Sequence, residues 1–389
     1  MKMKLKLSAV FAVCASLALL PAVASSADKV VVQSKPDLSL KLELETSIGK
    51  SLGWLASRQK EDGSWGESEY PALTALALSS FQGDPSGTYK RKYDANIKNG
   101  YGWLLKQAKP DGGIYVEKLA NYNTSISLMA LLVANNPSYE PIMKKARQFL
   151  IGLQDNLGED VAVNGGIGYG GRYKHSDMNN TTYALEALHY TRYLKSDVAN
   201  DPEAKDLNWK AVQKFISRSQ NLPGSNDQAW ASADPANKGG FVYFPGHSMA
   251  GEQKLENGET ALRSYGSMSY AGLLSMIHAQ VDKNDPRVKA VIDWLSKNYT
   301  LDENPGMGQE GLYYYYHLMA KGLSAAGIDT LVLKDGRKVN WRQDLAKRLL
   351  NLQNADGSWV NENGRWMEKD PVLVTGYGAL TMEILYRGL

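Results

Sequence analysis

The chain has 389 residues, 43% of them hydrophobic, with 44 Lys and Arg against 41 Asp and Glu. Its only cysteine, Cys14, lies near the start, so the rest of the chain can form no disulfide, no Cys-ligated zinc site and no thiol nucleophile. The near-even charge balance, without a basic run, argues against a nucleic-acid partner.

Lys2, Lys4 and Lys6 precede an apolar run over 7–20 and a small-residue stretch over 22–27. That order is the pattern of a secretory signal peptide, here expected over 1–27, removed on export to the periplasm or beyond. The apolar run is short for a bilayer span, and no later segment is apolar enough to replace it. The exported chain is therefore expected to carry no transmembrane segment. Residues 28–42 read as an extended lead-in, and 43–389 as one helical toroid.

From residue 44 the sequence alternates two kinds of helix. Amphipathic segments fall at 44–59, 93–107, 140–154, 207–220, 285–299 and 340–353, each apolar along one side. Each is followed by a Gly- or aromatic-rich loop such as "DGSWG", "PDGGIY" or "KGGFVYFPG". Then comes a helix apolar nearly all round, at 70–81, 123–135, 179–194, 264–279, 310–327 and 374–389. A helix apolar on every side is buried on every side. Repetition at this scale predicts an all-α fold, a closed (α/α)6 toroid with six outer and six inner helices around a central cavity. The longest insertion, 221–263, is the candidate lid or specificity loop.

"RQKEDGSWG" at 58–66 returns as "LQNADGSWV" at 352–360. This helix–Gln–turn–Trp phrase resembles the QW repeat of the terpenoid cyclases, squalene–hopene cyclase among them, whose toroid the protein prenyltransferases share. Gln59, Trp65, Gln353 and Trp359 match it. Gln107, Gln154 and Gln220 keep only the Gln, and the fifth repeat has Tyr299. The resemblance implies that these residues are structural, the amide bonding free backbone groups at helix ends and the indole packing between repeats. It also implies an Asp-rich D-x-D-D acid motif, and here the chain departs: "DMNNTT" (177–182) puts Asp177 first, but Asn179 where the proton donor belongs and Asn180 last. The prenyltransferase zinc is excluded with its Cys, and no metal or other cofactor is expected.

The candidate catalytic groups are Asp177, Glu310, Glu259 and His317. The carboxylates stand near predicted inner-helix starts, where they could act as acid or base. His317 falls on roughly the same face as Glu310. The candidate ligand-binding residues are Asn179, Asn180, Tyr265, Tyr270, Tyr313 and Tyr314. The run Tyr313–Tyr316 is expected to split between cavity and inter-helix packing. Six helix N-termini at one rim predict unpaired N–H groups there, suited to anionic or hydroxyl-rich ligand groups. The partner is a small-molecule or oligomeric ligand, isoprenoid or carbohydrate. An exported cyclase-like binding protein or divergent isomerase, a secreted carbohydrate lyase or hydrolase, and a non-catalytic envelope scaffold all fit these residues.

Overall fold

Asp37 accepts a hydrogen bond from the Leu40 backbone N–H and starts the first helix, α1 (Leu38–Ser57). The computed structural model describes residues 37–389, apart from 171–174, 197, 199 and 200. The expected signal peptide lies outside the described residues. The lead-in expected to stay extended as far as residue 42 is already helical from Leu38, because Asp37 supplies an N-cap.

Five further outer helices follow: α4 (Asp94–Leu105), α6 (Glu140–Gly152), α8 (Trp209–Arg218), α10 (Pro286–Lys297) and α12 (Trp341–Leu352). The inner set is α2 (Pro71–Gly83), α5 (Ala120–Ala134), α7 (Met178–Tyr190), α9 (Gly266–His278), α11 (Leu312–Ala325) and α13 (Pro371–Gly388). A five-residue helix, α3 (Thr88–Lys92), precedes α4. Two small antiparallel hairpins interrupt the pattern, β1 (Glu252–Lys254) with β2 (Thr260–Leu262) and β3 (Leu331–Val332) with β4 (Lys338–Val339). Outer helices bury one face: α8 buries Val212, Phe215 and Ile216. Inner helices bury polar positions too, as α5 does with Asn121, Asn123, Thr124 and Ser125. Each inner helix packs on the next, and α13 packs on both α2 and α1. The last repeat thus meets the first, and the fold is an all-α (α/α)6 toroid.

One clamp recurs at the turns. Five of the six outer helices end one or two residues before Gln59, Gln107, Gln154, Gln220 or Gln353. The Gln220 Nε2 donates to the Gly239 carbonyl of its own turn and to the Arg287 carbonyl of the next outer helix, both at 2.9 Å. Gln59, Gln154 and Gln353 do the same with Gly63 and Asn96, Gly165 and Asn208, and Gly357 and Ser47. The turn glycine must be glycine: Gly357 has φ +95°, and a Cβ there would lie 2.6 Å from the Lys50 carbonyl oxygen. A hydroxyl near the start of the following inner helix completes the clamp. Thr74, Thr124, Thr181, Ser269 and Thr375 accept from the backbone N–H at Trp65, Ile114, Ile167, Phe241 and Trp359. Trp65 and Trp359 are fully buried, and each indole N–H donates to a carbonyl of its own outer helix, Leu55 or Leu349.

The fifth repeat uses other chemistry. Tyr315 donates its hydroxyl to the Thr300 carbonyl at 2.9 Å, and Tyr316 donates to the Leu301 carbonyl. Two of the four consecutive tyrosines therefore secure the chain after α10, where four of the other repeats use Gln.

Candidate functional site

The inner helices begin at one rim, and there the repeats cap one another. The α2 N-terminus gives its Ala72 N–H to Asn123 Oδ1 of α5. Asn121 N–H of α5 donates to the Tyr169 carbonyl, and Met178 N–H of α7 to the Tyr243 carbonyl. Ser267 N–H of α9 donates to Asn304 Oδ1. In α11 the N–H groups of Tyr313 and Tyr314 donate to the Glu368 carboxylate at 3.3 and 2.8 Å. The expected ring of free N–H groups is thus corrected. The next repeat's loop supplies most of the acceptors that helix ends require, and Asp177 and Asp370 cap α7 and α13 from their own repeats.

Within the first two turns of the inner helices lies a cavity of about 270 Å3. Its wall holds eight tyrosines: 70, 122, 169, 183, 243, 265, 314 and 377. Their hydroxyls largely satisfy one another. Tyr377 Oη lies 3.1 Å from both Tyr122 and Tyr183 Oη, Tyr169 Oη 3.0 Å from Tyr243 Oη, and Tyr314 donates to Asn179 Oδ1 at 2.5 Å. Ring contacts run through the same set, Tyr122 edge-on to Tyr183 and Tyr183 stacked on Tyr314. Burial lifts Tyr122, Tyr183, Tyr265 and Tyr314 well above the usual phenol range, so they remain neutral. What faces the space is mainly aromatic ring, with Met and Leu side chains between.

Of the expected ligand-binding residues, Asn179, Tyr265 and Tyr314 line this cavity. Three others do not. Asn180 is buried behind the wall, bonded to Asp177. Tyr270 is buried against Tyr315, between helices. Tyr313 lies against Tyr316.

The catalytic candidates fare less well. Asp177 is fully buried as the N-cap of α7, accepting from Asn180 N–H and Nδ2, both at 2.8 Å, and it does not reach the cavity surface. Burial raises its carboxyl to about 7, against the bonds from Asn180 and from the Tyr243 hydroxyl. Glu310 precedes α11, stays outside the cavity and pairs with Arg365 at 3.3 Å. His317 is buried, stacked on Tyr377, with Nδ1 3.3 Å from Thr381 Oγ1; burial holds it well below its ordinary value and neutral. It does not join Glu310, because Gly311 turns left-handed (φ +64°) before the helix begins. Glu259 is exposed in the β1–β2 turn, bonded to Asn257. The sequence placed it by the nearest helix start, but the hairpin carries it away from the rim.

Sequence reasoning missed Glu368, Tyr243 and the Trp366–Met367 pair, all of which line the cavity. Glu368 is buried and also accepts from Asn361 Nδ2 at 2.6 Å; burial raises it, while Asn361 and the α11 N–H groups pull it down. Trp366 and Met367 hold left-handed backbone (φ 54° and 66°), as does Leu119 (φ 53°) on the same wall. Each such residue costs of order 1–3 kcal/mol. Residues 221–263 do reach the cavity, through Tyr243 and Met249, but they are tied down, with Arg218 paired to Asp227 and Asn221 Nδ2 bonded to the Leu262 carbonyl. Among the described residues no cluster of ligating side chains could hold a metal ion.

No family model and no curated protein matches the chain. Among solved structures it is similar to a type II terpene cyclase, MstE from Scytonema, in complex with geranylgeranyl dihydroxybenzoate, at 11% identity and TM-score 0.52, covering 91% of this chain and all of that one. It is also similar to a GH76 α-mannanase of Bacteroides thetaiotaomicron (11% identity, TM-score 0.55, covering 90% of this chain and 98% of that one). A third is a possible GH105 member from Salmonella enterica serovar Paratyphi A (11% identity, TM-score 0.53, covering 94% of this chain and all of that one). At such identity the likeness is one of fold: a terpenoid-cyclase-like α/α toroid, an architecture these glycoside hydrolases share.

Proposed function

We propose that this is an exported, terpenoid-cyclase-like toroid that binds an isoprenoid or similarly apolar ligand in its central cavity. The observation that carries the reading is the wall of eight tyrosines whose hydroxyls largely bond one another. Such a wall offers ring surface and few free polar groups, which suits an apolar body. The volume lies near the lower end of ligand pockets, roughly 300–1,000 Å3, so a short chain fits better than a triterpene. Cyclisation by alkene protonation would need an acid at the surface, and the aligned position is Asn179. In a divergent isomerase the proton would come from Asp177, which lies behind the wall and is bonded to the Tyr243 hydroxyl. The carbohydrate reading is weaker. Glycoside cleavage uses two carboxyl groups flanking the bond, and among the described residues one carboxyl group, that of Glu368, lines the cavity.

Native mass spectrometry of the purified protein tests this, with farnesol added if no ligand co-purifies. A co-purifying polyprenyl mass, or uptake of farnesol, is the expected result. An oligosaccharide mass would replace the reading with the carbohydrate one. A cavity that stays empty under both conditions would leave a scaffold. The intact mass of the same sample also reports whether residues 1–27 have been removed, as export requires.

A further inference from the structure

Two basic side chains beside the barrel interior are matched by carboxylates. Arg365 pairs with Glu310 at the rim, 3.3 Å apart, and Lys321 pairs with Glu186 at 2.5 Å, deeper along α11 and α7. Glu368 has no such match. Among the described residues no basic group lies within ion-pair distance, and its donors are the neutral N–H groups of Tyr313 and Tyr314 and the Asn361 amide. Those N–H groups open α11, so the helix N-terminus offsets part of the charge, but this buried carboxylate, part of the cavity wall, meets no full counter-charge.

The rest of the wall has the same polarity. Aromatic faces are the negative side of the ring quadrupole, and they attract cations. Tyr314 and Tyr377 join Glu368 in the wall, 5.9 Å apart between ring centroids. An anionic ligand would be repelled by carboxylate and rings alike. A neutral apolar one would cover Glu368 and give it nothing in return.

We infer that the ligand of this cavity is an organic ammonium ion with an apolar body, its nitrogen seated between the Glu368 carboxylate and the Tyr314 and Tyr377 rings. The inference rests on the reading of the cavity as the binding site, and it adds the ligand's charge.

Two probes of one shape test it: (6-hydroxyhexyl)trimethylammonium and its neutral carbon isostere, 7,7-dimethyloctan-1-ol. Affinities are measured by titration calorimetry on the wild-type protein and on Glu368→Gln. The ammonium should bind wild type at least tenfold more tightly than the alcohol. Glu368→Gln should lose most of that preference while keeping its affinity for the alcohol. Equal binding of the two probes, or tighter binding of the alcohol, overturns the inference and leaves the apolar cavity standing. Binding of neither overturns both. A preference that survives in Glu368→Gln removes Glu368 from the site and overturns the seat assigned to the nitrogen. If the variant does not fold, the wild-type comparison decides, and Tyr377→Leu, which removes a ring and no charge, should then weaken the ammonium more than the alcohol. Equal weakening of the two by Tyr377→Leu would overturn the aromatic seat.

Discussion

At Asp177 a capping role and a burial cost act on one carboxyl. Burial raises its pKa from 3.8 to about 7, so the folded protein holds a proton there that the unfolded chain releases. Below about pH 4 both states are protonated and the shift has no effect. Between about 4 and 7 the unfolded state ionises first, and above 7 the folded protein bears the whole cost. Asp177→Asn should therefore raise the melting temperature at pH 8 and leave it nearly unchanged at pH 4, because Asn is also a good N-cap. A new amide donor at 177 could also satisfy Asn180 Oδ1, which is buried without a partner. Thermal melts of both proteins across that range check this; destabilisation at pH 8 would contradict it. At this scale the sequence was a partial guide. Asp177 before a helix announces a cap, and Asn179 and Tyr314 were found as wall residues. Glu368 was not, because it lies in a loop with no periodicity and acts on the N-terminus of a helix more than forty residues earlier.

Each helix pair carries its own fasteners, and Trp359 is one of them. Fully buried, it packs its ring against Gly378 of α13 and ties its indole N–H to α12. Trp359→Ala should cost about 3–5 kcal/mol, the usual scale for a buried aromatic, and change ligand affinity only through lost stability. Denaturant unfolding together with a binding titration would show it. Unchanged stability with binding abolished would mean that the tryptophan belongs to the site. The helices were legible because amphipathic and all-apolar patterns differ at a glance, and the outer boundaries came out within two residues of each Gln. The fifth repeat's fastener was not legible. Nothing in "YYYY" says which phenols reach a carbonyl and which face a cavity, since both settings bury a ring and satisfy a hydroxyl.

For the whole molecule the seam between the last repeat and the first is decisive. There Gln353 Oε1 accepts from Ser47 Oγ at 2.6 Å, and α13 packs against α1 and α2. The ends of the described chain therefore come together in neighbouring helices. A circular permutant that joins Leu389 to Asp37 through a flexible linker and opens at the exposed Gly336 should melt in one cooperative transition and keep the cavity. A chain stopped at residue 370, which lacks α13, should do neither; calorimetry and probe binding separate the two. The number of repeats could be counted from the sequence, and the closed ring followed from a helix set with no side left for solvent. The same seam governs how the molecule comes into being. Ser47 and Gln353 are 306 positions apart, so a ribosome must deliver almost the whole chain before the first helix meets its final neighbour. Until α13 emerges the product is an arc with two sticky edges, α2 at one and α11 at the other. Both edges complement α13, and nothing in either distinguishes the chain's own α13 from that of another copy. An arc that takes a neighbour's α13 leaves its own for a third, and exchange that fails to close extends into chains of molecules.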